Sequence, residues 1–112
     1  MPLVDLNDAN FDAETENQDL MILDFWAPWC GPCRIFAPIF EAAAERHPDI
    51  LFGRINTEEE TKLARQFGIF SVPTIIAAKA GTIVYARPGA LSEEKLEALI
   101  RDLRQAPVPD DE

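Results

Sequence analysis

Cys30 and Cys33 are the only cysteines in this chain of 112 residues, and they stand two residues apart in the stretch FWAPWCGPC, 25–33. A pair at this spacing can do three kinds of chemistry. It can close a structural disulfide, supply part of a metal site, or alternate between dithiol and disulfide to carry electrons. A structural disulfide is disfavoured twice. Closing so short a loop removes little chain entropy, and a chain without a visible export segment is expected in a reducing compartment. Structural zinc usually takes four Cys or His ligands, and here there are two cysteines and one histidine, His47. That histidine sits in ERHPD, where a helix end is expected and a histidine usually serves the last carbonyls and the helix dipole. Redox chemistry is the reading that survives.

The elements that must position the pair can be read from the spacing of apolar residues. LMILDFW, 20–26, is a near-continuous apolar run, the pattern of a strand buried on both faces. Past the cysteines, Ile35, Phe36, Ile39, Phe40 and Ala43 form a helical stripe, with Pro38 expected to kink the helix and His47-Pro48 to end it. PLVDLN reads as a short edge strand, DANFDAETEN as a weak helix, and ILFGRIN, 50–56, as another strand. TEEE, 57–60, fits a capping box with Thr57 as the cap and Glu60 three residues on. Leu63 and Phe67 then share a face, and Gly68 stops that helix. TIIAAK and TIVYAR flank Ala80-Gly81 as a hairpin. Ser92 caps a last helix carrying Leu96, Leu99, Ile100 and Leu103. The order β-α-β-α-β-α-β-β-α implies an α/β domain with a mixed sheet and helices on both faces. The proline- and acid-rich QAPVPDDE, 105–112, has little to bury and reads as a frayed tail.

The cysteines therefore fall between a buried strand and the first turn of a helix. Helix N-termini carry unpaired N–H groups and partial positive charge, so a thiolate there is stabilised and reactive. The first cysteine is expected to face outward as the nucleophile and the second to be tucked beneath it as the resolving thiol. Gly31 and Pro32 keep the turn tight, and proline suits an early helical position.

DFWAPWCGPC resembles the active-site stretch of the thioredoxin family. Pro38, FGIFSVPT at 67–74 and PGALS at 88–92 continue the resemblance in order. It covers residues 3–104 and is most like the thioredoxin domain of bacterial two-domain thioredoxins, without their N-terminal zinc segment. The resemblance implies the thioredoxin fold, reduction of protein disulfides through the Cys30–Cys33 pair, no bound cofactor, and recharging by an NADPH-dependent flavin reductase. It also implies roles for further residues. Asp24 matches a buried aspartate that exchanges a proton with Cys33; from spacing alone it could equally be an outward-facing residue, but coverage of both sheet faces would bury it and raise its pKa. Pro73 matches a cis-proline facing the cysteines. Val72 before it would offer backbone to an extended substrate segment. Trp29, Gly31, Pro32, Val72, Pro73, Gly89 and Ala90 would form an apolar docking surface, with Trp26 left to structure. Three departures stand out: Arg54 where many members have lysine, a tuning position beside Asp24; AAKAG in the hairpin; and Pro88, which removes a donor just before Gly89.

The formal net charge of −10 disfavours nucleic acid and anionic membranes as partners. MPLVDLNDANF has neither the basic start nor the long apolar stretch of a signal peptide, so a cytoplasmic, monomeric protein is the expectation. A disulfide oxidant or isomerase of the same fold, and a non-catalytic binding module, are the competing readings. Gly-Pro between the cysteines resembles the reducing members, and a binding module would have little reason to hold Cys30, Cys33, Asp24 and Pro73 together.

Overall fold

The computed structural model describes residues 3–108. Elements run β1 (Leu3–Asp5), α1 (Phe11–Thr15), β2 (Leu20–Trp26), α2 (Gly31–Arg46), β3 (Leu51–Asn56), α3 (Thr61–Gln66), β4 (Thr74–Lys79), β5 (Thr82–Pro88) and α4 (Glu93–Gln105). The element order is the one expected from the sequence. Pro2 and the last four residues of the acidic tail lie outside the described residues; of the tail, Gln105 closes α4.

One mixed sheet organises these elements in the order β1-β3-β2-β4-β5. Strands β1, β3 and β2 are parallel, while β4 runs antiparallel to β2 and β5 antiparallel to β4. The apolar run of β2 is explained by its place at the centre. On one face, Leu20 and Ile22 pack with Phe36 and Phe40 of α2 and Leu96, Ile100 and Leu103 of α4. On the other, Leu23 and Phe25 pack with Phe11 of α1 and Leu63 of α3. The two-residue period of a strand sends alternate side chains into each cluster.

Helix α2 shows why its stripe is narrower than the sequence implied. Cys33, Phe36, Phe40, Ala43 and Ala44 are buried. Ile35, one residue and therefore about 100° from Phe36, is exposed. Pro38 lies on the solvent side, and the helix runs through it from Gly31 to Arg46. The helix ends at His47, but the imidazole does not serve the last carbonyls. Its Nε2 faces Glu97 at 3.0 Å and its Nδ1 faces Arg104 Nη2 at 3.0 Å. Guanidinium nitrogen can only donate, so Nδ1 is the acceptor and Nε2–H donates to Glu97. This pins the end of α2 to α4.

The capping box expected at Thr57 does not form. Thr57 Oγ1 donates to the Trp26 carbonyl, and α3 begins four residues later with Glu60 at its cap position and no cap from its own side chain. The cap comes from a distant loop. The Leu63 N–H donates to Asp8 Oδ1 at 3.1 Å, and the Asp8 N–H donates back to Glu60 Oε1 at 2.9 Å. The hairpin turns through Ala80 and Gly81, both with positive φ, which a tight two-residue turn requires. Ser92 Oγ accepts from Lys95 N–H as expected, capping α4. At the other end of α4, Lys79 Nζ donates to the carbonyls of Arg104 and Ala106, satisfying acceptors that a helix C-terminus leaves open.

Asp8→Ala removes the side-chain cap of α3. It is expected to lower stability by about 1 kcal/mol, a fall of about 4 °C in the melting temperature of a domain this size, measured by thermal denaturation followed by circular dichroism.

Candidate functional site

The site lies at the C-terminal end of β2, where the chain leaves the central strand for α2. Open α/β sheets place reactive groups outside the carboxyl ends of their strands. Cys30 is the N-cap residue of α2, with extended backbone (φ −92°, ψ 113°). Its sulfur accepts the Cys33 N–H at 3.1 Å. A sulfur here takes the place of the oxygen of a capping Ser or Asp, and the acceptor role is strengthened when it carries negative charge. Gly31 and Pro32 fill the first two helical positions, so the proline's missing donor costs nothing. Cys30 and Cys33 are disulfide-bonded, with Cα atoms 5.2 Å apart.

Cys30 does not face outward as the sequence suggested. It is 4% exposed and Cys33 1%. The loop carrying Val72 closes over the pair: Val72 packs against Ala27, Cys30 and Cys33, and its carbonyl oxygen stands 3.7 Å from Cys30 Sγ. A reduced Cys30 thiol at that place can donate to the carbonyl. The Val72–Pro73 peptide is cis, as the resemblance implied. Pro73 itself is buried and contributes little to any docking surface; its carbonyl accepts the Gly89 N–H at 2.8 Å. That bond brings Gly89 and Ala90, both exposed, to the same end of the sheet. Gly89 has φ +109°, a conformation that side chains rarely adopt. Pro88, at the close of edge strand β5, interrupts nothing, because the next N–H makes the bond to Pro73. Trp29 is 67% exposed, and its Nε1–H donates to Glu58 Oε2 at 3.2 Å. Gly31, half-buried, and Pro32, exposed, complete the surface.

Asp24 is 0% exposed, and its neighbours across the sheet are Arg54 on β3 and Ile75 on β4. Burial pushes its carboxyl up to about 6, and the charge and hydrogen bond of Arg54 hold back a larger rise. Arg54 Nε donates to Oδ2 at 3.3 Å, while Oδ1 has no hydrogen-bond partner among the described residues. The guanidinium lies over the Trp26 ring, 4.3 Å from its centroid. Trp26 in turn packs against the cysteine cluster. Trp26 thus lies between the carboxylate's counter-ion and the cluster of Ala27, Cys30 and Cys33. Glu58 was missed in the sequence. It stood inside TEEE, a run that reads as a helix start, and only the turn at 57–59 aims it at Trp29.

The arrangement can hold a thiolate at a helix N-terminus and put a carboxyl that titrates near neutrality in the strand leading to it. Among the described residues no group of three or more His, Cys, Asp or Glu is placed to hold a metal ion, and no helix is long and apolar enough to cross a membrane.

Because the folded-state pKa of Asp24 lies above its ordinary value, the folded chain binds more protons than the unfolded one between pH 4 and 6. The contribution of Asp24 to stability is therefore most favourable below that window and falls as pH rises through it. Asp24→Asn removes the penalty. At pH 7 it is expected to unfold at higher denaturant than wild type, by up to about 3 kcal/mol, with the difference vanishing below pH 4. Arg54→Met is expected to raise the Asp24 pKa further, read from the carboxyl carbon's NMR titration.

Comparison with known proteins places this geometry. The thioredoxin family model matches residues 2–102. A thioredoxin of Alicyclobacillus acidocaldarius is 42% identical over 101 residues, covering 89% of this chain and 96% of the relative. Among solved structures, a mutant thioredoxin from Halobacterium salinarum NRC-1 superposes with a TM-score of 0.84 at 30% identity, covering 96% of this chain and 94% of that one. The oxidised form of mitochondrial thioredoxin 3 from Saccharomyces cerevisiae gives a TM-score of 0.80 at 28% identity, covering 90% and 95%.

Proposed function

The chain belongs to the thioredoxin family and is a thiol–disulfide oxidoreductase; we propose that it reduces protein disulfides, with Cys30 as nucleophile and Cys33 as resolving thiol. The observation that carries the assignment of roles is the Cys33 N–H donated to Cys30 Sγ at the cap of α2. The sulfur at the cap gains most from the helix N-terminus, which favours Cys30 as the attacking sulfur.

The reaction balances in two exchanges. Cys30 thiolate attacks one sulfur of the substrate disulfide, forms a mixed disulfide and displaces the other substrate sulfur as a thiolate. Cys33 then gives up its proton, attacks Cys30 Sγ and releases the second substrate sulfur. Two protein thiols become the Cys30–Cys33 disulfide, and one substrate disulfide becomes two thiols. Asp24 accepts the Cys33 proton. Its pKa of about 6 leaves it mostly ionised at pH 7 yet basic enough to act. Arg54 sets that balance from one side and burial from the other.

Substrate docks on Trp29, Gly31, Pro32, Gly89 and Ala90, its backbone lying against Val72. A thioredoxin reductase returns the two electrons, and we assign the nicotinamide and flavin steps to that partner. We take the catalytic domain to extend through α4 to Gln105, one residue beyond the 104 expected from the sequence. We place the protein in the cytoplasm as a monomer, acting on proteins rather than nucleic acid or membranes.

Cys30→Ser is expected to abolish reduction of a protein disulfide. Cys33→Ser is expected to accumulate a mixed disulfide with substrate, seen as a dithiothreitol-sensitive adduct on non-reducing gels. Turnover without a trapped adduct would overturn the assignment of roles.

A further inference from the structure

Phe70 is 98% exposed, the most exposed large apolar side chain among the described residues. It stands two residues before Val72, so their Cα atoms are within about 7 Å of each other. Beside it runs a groove of about 290 Å³, with Phe67, Ile76, Ala86 and Pro88 among its lining residues. It lies between the segment that follows α3, which ends at Gln66, and the exposed edge strand β5. Ile76 belongs to the cluster on the α1 and α3 side, which places the groove there. Arg87 stands on its rim, but its guanidinium lies 5.8 Å from the Tyr85 ring, and Tyr85 packs on the opposite face. The remaining lining residues are uncharged in a chain with 27% charged residues.

We propose that Phe70 and this groove form a specificity subsite that takes a large apolar side chain of the substrate protein, close in sequence to its reactive cysteine. Three observations choose this occupant. The volume lies at or below the bottom of the usual range for small-molecule pockets, about 300–1,000 Å³, and suits one or two side chains. The lining offers no carboxylate and no cation aimed inward, so a charged side chain would lose its hydration without gaining a partner. The subsite is also continuous with Val72, against which the substrate backbone is placed. Once Cys30 has formed the mixed disulfide, the neighbouring substrate residues are tethered, and even a weak apolar contact operates at high effective concentration. The docking surface inferred from the sequence includes Val72 but not Phe70 or the groove beside it. This inference rests on the docking of substrate against Val72 given above.

The test uses the full chain, pre-reduced, with three substrates in single-turnover stopped-flow measurements of tryptophan fluorescence. These are a disulfide peptide with leucine two residues on either side of each cysteine, its serine counterpart, and 2-hydroxyethyl disulfide. Wild type is expected to reduce the leucine peptide about tenfold faster at low concentration than the serine peptide, the size of effect that one exposed aromatic anchor gives. Phe70→Ser should erase that preference and leave the rate on 2-hydroxyethyl disulfide unchanged, while Phe70→Leu keeps the preference. The ring makes no buried contact to lose, and an unchanged melting temperature would verify it. A preference that survives in Phe70→Ser overturns the proposal, as does an equal loss on all three substrates. Wild type that reduces all three without preferring leucine overturns the subsite alone; wild type that reduces none overturns the activity as well.

Discussion

Strand β2 is hydrogen-bonded to a neighbour on each edge and covered by helices on each face, so a carboxyl group in its middle has no route to water. Asp24 occupies such a position. The fold meets this cost with Arg54 from the adjacent parallel strand, and only one carboxylate oxygen receives a donor from it. Burial raises the carboxyl to about 6, and the single donor from Arg54 offsets only part of that rise. The Arg54 guanidinium carbon also lies over the Trp26 ring, and a lysine would bring a flexible point charge in place of that planar group.

The sulfurs obey a second constraint that begins where β2 ends. A helix that starts directly after a central strand points its free N–H groups at the strand's end, and Cys30 is the residue caught at that junction. Burial by Val72 and stabilisation by the helix start act in opposite directions on a thiolate. On the helix side, the Cys33 N–H gives Cys30 Sγ a direct donor. The same Val72 loop that covers the disulfide is tied to Gly89, whose N–H donates to the Pro73 carbonyl.

Signals that are local in sequence were legible. The apolar run of β2, the hairpin at Ala80-Gly81 and the Ser92 cap each depend on residues within a few positions of one another. The misreadings share a cause. Thr57 carried the right residue types for a cap, but the α3 cap is supplied by Asp8, 55 residues from Leu63. Cys30 was expected to face outward as the first cysteine at a helix start, and a loop 42 residues away covers it. Burial of Asp24 followed from the strand pattern. Arg54 was marked as a tuning position beside Asp24, but their pairing depends on the parallel register of β2 and β3, a quantity that neither strand carries alone. Ile35 was assigned to the core because adjacent apolar residues both matched a helical stripe, although only one of two neighbours can face inward fully.

The lysine at the end of β4 has an orienting consequence. Lys79 pairs in register with Leu20, the first residue of β2, whereas the disulfide follows its last residue. Six strand steps, about 20 Å, separate the two ends. By gripping the carbonyls of Arg104 and Ala106, Lys79 fixes the point where the chain leaves its final helix on the side of the molecule away from the sulfurs. An anchor, label or fused partner attached beyond Ala106 would therefore hold the molecule from behind, like a handle, and turn its reactive end outward.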